Sequence, residues 1–176
     1  MSDVGPQQLR RLIVMRHAKA EPFADSDQAR RLTDRGLAEA GDAGRHLAAA
    51  GLRPDFALVS SATRTRQTWD AVAEAAGLED AEVSFDDALF SGSPDVVLEA
   101  VRRAPADAGT VMFVGHNPTA AFLCHLLDDG EGDPDASSEL LCGFPPAAVA
   151  TLETSARWVD LGPECGRVVG FYVGRS

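Results

Sequence analysis

The stretch Leu12-Ile13-Val14-Met15-Arg16-His17 decides how the rest of the chain is read. Four consecutive apolar residues are the pattern of a strand covered on both faces, because alternation is needed only where one face meets water. The run ends on an arginine and a histidine, with Lys19 two positions further on. A buried strand end is a costly place for charge. The reading of the chain therefore turns on what these side chains meet there.

Working outward, Thr33 and Asp34 cap a helix that runs to about Ala50, with Leu37, Ala40, Gly44, Leu47 and Ala48 on one face and Gly51 as its stop. Arg53–Ser61 reads as a turn and a strand. A second helix follows from about Ala62 to Ala76, with Thr65, Trp69, Val72, Ala73 and Ala76 on its inner face and Gly77 ending it. A short strand fits near Ala81–Phe85, and Pro94 opens a third helix through about Arg103. Thr110–Gly115 is another apolar strand, after which Pro118 begins a fourth helix. Two late strands are expected near Ala147–Glu153 and Arg167–Val173, joined by the turn-rich segment 157–166. The acidic segment Asp128–Glu139 reads as a solvated loop. Strands alternating with helices predict an α/β three-layer sandwich, with a mainly parallel central sheet flanked by helices. One domain is expected over residues 9–176, preceded by a loose tail at 1–8.

The totals agree with a globular enzyme-sized domain and exclude several classes. The chain has 176 residues, 45% hydrophobic and 24% charged, which is neither a disordered nor a fibrous composition. A formal net charge of −11 opposes nonspecific binding to nucleic acid or to an anionic membrane. Cys124, Cys142 and Cys165 form no CxxC pair, so reduced thiols and neither a disulfide frame nor a zinc site are expected. No apolar run is long enough to span a bilayer, and the first residues lack the apolar core of a signal peptide; the expected location is the cytoplasm.

In parallel α/β sheets, ligands bind beyond the carboxyl ends of the strands. Just past the three most convincing strands lie Arg16 and His17, then Arg64 and Arg66, then His116. If those strands are parallel neighbours, imidazoles and guanidiniums converge on one edge, and such a cluster repels itself unless an anion sits within it. Arg64 falls in the first turn of its helix, where the dipole disfavours a cation and favours phosphate. Its forked donors match phosphate oxygens. The alternative for Arg64 is a surface pairing with a carboxylate such as Asp70. A histidine in a phosphate pocket can act as nucleophile through a neutral ring nitrogen. His46, in mid-helix and half exposed, and His125, nine residues beyond His116, lack this setting.

These segments resemble the histidine phosphatase superfamily, with its phosphoglycerate-mutase-like fold. The stretch RHAKAE at 16–21 is similar to the family's Arg-His signature, PDFALVSSATRTRQT at 54–68 to its second motif, and VGHNP at 114–118 to the segment carrying the second histidine. The stretch RRLTDRG at 30–36 resembles the opening of the family's first helix, and the resemblance extends over about Leu12–Tyr172. It implies that His17 is the phosphorylated nucleophile, that Arg16 and Arg64 clamp the phosphate, and that His116 hydrogen-bonds the phosphoryl oxygens. It implies no metal or organic cofactor. Lys19 is a further candidate for touching phosphate, and Arg66 has no matching role.

One departure bears on substrate. Where many members carry a glutamate general acid, this chain reads Asp86-Asp87-Ala88-Leu89-Phe90-Ser91, with serine at the glutamate's place. Asp86, Asp87 and Glu21 are the carboxylates that could replace it. Without an acid, releasing an alcohol forgoes a rate factor of about 10²–10⁴, whereas imidazole leaves phosphorus readily. The short chain and the Arg-His-Ala opening look most similar to the SixA-type phosphohistidine phosphatases. The expected substrate is then a histidine-phosphorylated protein, with no nucleic-acid or membrane partner. The alternatives are a small-molecule phosphomonoesterase, for a sugar or nucleotide phosphate, and a phosphate-binding module without turnover.

Overall fold

A computed structural model describes residues 8–176; the tail expected at 1–8 lies outside them except for Gln8. The described residues form six strands and five helices: β1 (Arg10–Arg16), α1 (Asp34–Ala49), β2 (Phe56–Ser60), α2 (Thr63–Ala76), β3 (Glu82–Asp86), α3 (Pro94–Arg102), β4 (Thr110–Gly115), α4 (Thr119–Leu127), α5 (Pro134–Cys142), β5 (Ala148–Thr154) and β6 (Arg167–Val173). They build one sheet in the order β3-β2-β4-β1-β5-β6. β3, β2, β4 and β1 are parallel to their neighbours, while β5 runs antiparallel to both β1 and β6.

β1 shows why its sequence is continuously apolar. Leu12 and Val14 enter one core with Phe113, Leu123 and Trp158. Ile13 and Met15 enter a second core with Leu47, Trp69 and Val72. The first core lies under α3, α4 and α5 and the second under α1 and α2, which makes the three layers. Trp158 belongs to a single 3₁₀ turn in the β5–β6 connection and donates its indole N–H to the Ala108 carbonyl at 2.7 Å.

Two local readings need correction. Leu37 and Ala48 point outward; the buried face of α1 is Gly36, Glu39, Ala40, Ala43, Gly44 and Leu47. Close approach, not the largest apolar side chain, sets this rotation: a Cβ on Gly36 would lie 2.0 Å from the Lys19 carbonyl oxygen, and one on Gly44 2.6 Å from that of Val72. The second correction concerns the acidic segment. Residues from Pro134 onward are helical, with the Asp133 carboxylate accepting from the Ala136 N–H and Pro134 in the first turn. Ala136 and Leu140 anchor this short helix on the first core.

Gly36 ties α1 to the backbone that follows His17, through the Thr33 N–H donated to the Lys19 carbonyl at 3.0 Å. Gly36→Ala is expected to lower the unfolding free energy by about 2 kcal/mol, the cost of overpacking at a backbone contact, read as a reduced urea midpoint at unchanged slope. An unchanged midpoint would show that this contact relaxes freely.

Candidate active site

The site is made by strand register. β1 and β4 pair so that Arg16 lies beside Gly115, and the His17 N–H donates to the Gly115 carbonyl at 2.9 Å. The residues that follow, His17 and His116, emerge side by side, with ring centroids 5.4 Å apart. β2 lies on the other side of β4 and ends at Ser60, whose hydroxyl is 2.7 Å from Nε2 of His116. α2 begins three residues later and delivers Arg64 into the gap.

Arg64 is 5% exposed and is the hub of the cluster. Its Nε donates to His17 Nε2 and its Nη2 approaches His116 Nδ1, both at 3.3 Å. Its Nη1 donates to the Asp27 main-chain carbonyl at 2.6 Å, and Nη2 to the Asp27 carboxylate at 3.0 Å. The carboxylate partner is thus Asp27, 37 positions away, and not the helix neighbour Asp70, which is exposed. Phe90 covers the group from the other side, its ring 5.6 Å from that of His116 and 5.8 Å from the Arg64 guanidinium carbon.

A hydrogen bond to a carbonyl assigns the His17 tautomer. Nδ1 of His17 lies 2.8 Å from the Ala18 carbonyl, so it carries the proton, and Nε2 keeps its lone pair toward Arg64. Burial above all, with the nearby His116, Arg64 and Arg16, takes the His17 pKa down to about 3 against the opposing hydrogen bond to the Ala18 carbonyl. Burial followed by the Arg64 charge takes His116 down to about 4. Both rings are neutral at pH 7. Arg16 donates Nη1 to the Phe144 carbonyl at 2.9 Å, while its Nε is buried without a partner among the described residues.

The remaining candidates fall elsewhere. The Lys19 side chain is exposed and lines a neighbouring cavity with Arg35, Glu39 and Pro146. Arg66 lies over the Phe85 ring, 4.2 Å from its centroid, and donates to the Ser61 carbonyl. Asp86 caps a second 3₁₀ turn, Asp87–Leu89, through the Ala88 N–H, and Asp87 and Glu21 are exposed. His46 stacks on Tyr172, and His125 is exposed. Three members of the cluster escaped sequence reasoning. Ser60 was hidden in a strand end, and Asp27 and Arg30 in a polar loop with no periodicity. Arg30 donates to the other Asp27 oxygen at 2.8 Å and to the Glu21 carbonyl at 2.7 Å.

Beside Arg16 and Asn117 opens a groove of about 850 Å³, floored by Phe144 and Phe171 and rimmed by Asp135 and Glu139. Cys142 and Cys165 are exposed free thiols and Cys124 a buried one. Among the described residues no group of three His, Cys, Asp or Glu side chains is placed to hold a metal ion, and no helix is long and apolar enough to cross a membrane. A neutral imidazole with an unprotonated ring nitrogen, beside guanidinium forks and a second imidazole, is chemically equipped to attack phosphorus and to hold phosphoryl oxygens.

Known proteins carry the same frame. The family model of the histidine phosphatase superfamily (branch 1) matches residues 12–90. An uncharacterized protein of Mycobacterium tuberculosis, Rv1276c, is 37% identical over 163 residues, 92% of this chain and all of its own. The structure named for SixA from Nakamurella multipartitia superposes with a TM-score of 0.83 at 34% identity, covering 94% of this chain and 96% of that one. The structure named for SixA from Agrobacterium tumefaciens gives 0.77 at 29% identity, covering 93% and 97%. The chain belongs to the histidine phosphatase superfamily. Within it the chain is of the SixA type, and it is a phosphatase.

The two neutral imidazoles make stability depend on pH. In the unfolded chain each takes up a proton near pH 6.5, whereas the fold holds their pKa values at about 3 and about 4. Their contribution is complete above about pH 6.5 and is lost progressively as pH falls toward the folded values, because the unfolded state then binds more protons. Between pH 7 and pH 5 the wild type is expected to lose unfolding free energy more steeply than the His17→Asn/His116→Asn double variant, measured by urea titration. Equal slopes would mean that both rings take up protons freely in the fold.

Proposed function

We propose that this phosphatase hydrolyses phosphohistidine on a protein partner through a phosphohistidine intermediate on His17. The observation that carries the reading is the state of the site's carboxylates. Among the described residues the one carboxylate hydrogen-bonded to the cluster is Asp27, and the side-chain hydrogen bond from Arg30, followed by the contacts with Arg64, holds its pKa below the usual carboxylate range. It is ionised at neutral pH and has no proton to give. The segment that would supply a glutamate contributes the apolar Phe90 instead. Such a site is poorly suited to expelling an alkoxide and well suited to expelling imidazole.

The chemistry follows from the tautomers. The Nε2 lone pair of His17 attacks phosphorus as the substrate P–N bond breaks, and that electron pair goes to the departing imidazole, whose own ring carries the proton that makes it neutral. The Ala18 carbonyl, held by Nδ1–H, supports the positive charge that His17 gains on phosphorylation. Arg16 and Arg64 offer donors to the equatorial oxygens, and His116 offers a third, oriented by Ser60. Water then attacks phosphorus, phosphate leaves, and Nε2 regains its lone pair. The groove beside Arg16 is far larger than a phosphate and has an apolar floor, which suits a protein segment bearing the phosphoryl group better than a small polar metabolite. The SixA names of the two structural relatives support the same reading.

The test compares phosphoramidate, a phosphohistidine peptide and an unactivated alkyl phosphate. Both P–N substrates are expected to be hydrolysed at least about 10²-fold faster in kcat/KM than an unactivated alkyl ester, the scale of an absent general acid, and His17→Ala to fall to background. Preference for the alkyl ester would establish the small-molecule phosphomonoesterase instead.

The pH profile gives a second expectation. kcat/KM reports groups of the free enzyme. With the His17 pKa at about 3, neutral nucleophile persists well below pH 6.5. The profile for the peptide is expected to show no acid limb near pH 6.5 that titrates with His17. An acid limb near pH 6.5 shared by the peptide and by phosphoramidate would contradict the low pKa of His17.

A further inference from the structure

We propose that Asp27 is an internal competitor for the phosphoryl seat, and that it sets how tightly the site holds phosphate. This rests on the phosphatase reading above and adds a determinant of affinity to it.

The Asp27 carboxylate bridges two guanidiniums: one oxygen takes Arg64 Nη2 at 3.0 Å and the other takes Arg30 Nη1 at 2.8 Å. A carboxylate across two arginine forks is the arrangement that a phosphoryl group makes with the same donors. A phosphoryl group bonded to His17 Nε2 must draw on Arg64, because the Arg64 Nε lies 3.3 Å from that nitrogen. It therefore meets Asp27 either as a rival for Nη2 or as a like charge beside it.

The two contacts of Asp27 with Arg64 differ in how firmly the rest of the fold holds them. The main-chain carbonyl contact, at 2.6 Å, belongs to a loop fixed at several points. The Gln28 carbonyl accepts the Thr63 N–H, the Leu32 N–H donates to Gln67, and Ala20 bridges to Leu32. The carboxylate is by contrast 58% exposed. A turn of the Asp27 side chain frees the Arg64 fork without moving the loop, so the carbonyl keeps the guanidinium aimed while the carboxylate yields. A dianionic phosphoryl group displaces a single carboxylate charge; a weaker anion does not. Inorganic phosphate, once formed, is met by the returning carboxylate, which assists its release.

The experiment measures orthovanadate binding by calorimetry to wild type, Asp27→Asn and Asp27→Ala, with the inhibition constant of inorganic phosphate as a second readout. Asparagine retains an acceptor for Arg64 and removes the charge, and both variants retain the main-chain carbonyl. Tighter binding by about three- to tenfold in both variants is expected, the scale of a partly exposed ion pair. Equal or weaker binding would overturn the proposal, since a residue that merely holds Arg64 in place loosens the anion when removed. Loss of peptide turnover with unchanged vanadate affinity would overturn it too, by making Asp27 a proton donor. Failure of the wild type to bind orthovanadate would overturn the phosphate-site reading itself, an outcome distinct from either.

Discussion

The parallel pairing of β1 with β4 is the constraint from which the site follows. Once Arg16 is beside Gly115, His17 and His116 must leave the sheet together, at one edge and on adjacent strands. A slip of one residue would reverse the faces of Leu12, Ile13, Val14 and Met15, moving side chains that fill two separate cores. The packing of both layers thus fixes the distance between the imidazoles. The geometry of the site is an outcome of core packing, which is why the proposed nucleophile can lie on a strand end rather than on a mobile loop.

That position carries an electrostatic consequence. Burial and neighbouring cations push both histidines strongly toward neutrality, so a protein of net charge −11 builds a site in which the positive charge resides on the arginines. Arginine retains its charge where histidine gives it up, because its guanidinium is delocalised and weakly hydrated. The division suits the chemistry, since the attacking nitrogen needs a lone pair and the oxygens need cations. Arg64 could not be buried at the start of α2 without compensation, and the loop carrying Asp27 supplies it through a carbonyl and a carboxylate.

How much of this was legible in the sequence depended on whether a residue signals by pattern or by partner. Strands announced by apolar runs and helices announced by caps appeared within a residue or two of their expected bounds, as at Thr33 and Gly77. His17, Arg64 and His116 could be grouped because each follows a readable strand. The rotation of α1 was misread because glycine contacts, invisible in hydrophobic periodicity, decide which face is buried. α5 gives no clear periodic signal because it buries only Ala136 and Leu140 and follows an acidic, Gly-containing segment. Asp27 and Ser60 were missed because their roles exist only through a partner 37 or 56 positions away. Lys19, two residues from the nucleophile, shows the converse: proximity along a chain leaving a strand does not place a side chain in the site.

The lowered pKa of Asp27 and its place between two arginines are two sides of one arrangement. A carboxylate locked between Arg64 and Arg30 is a poor acid for the same reason that it is a good rival to phosphate: both guanidiniums favour its anionic form. A site that depended on donating a proton to an alkoxide would have to keep a carboxyl group away from such cations or bury it, so that it stayed protonated. Substrates whose leaving group brings its own proton place no such demand. They allow the carboxylate bound to Arg64 to remain charged, which is the arrangement from which Asp27 would compete with phosphate. On the proposed phosphohistidine reading such competition would cost little, because a P–N bond cleaves readily, and it would favour release of phosphate.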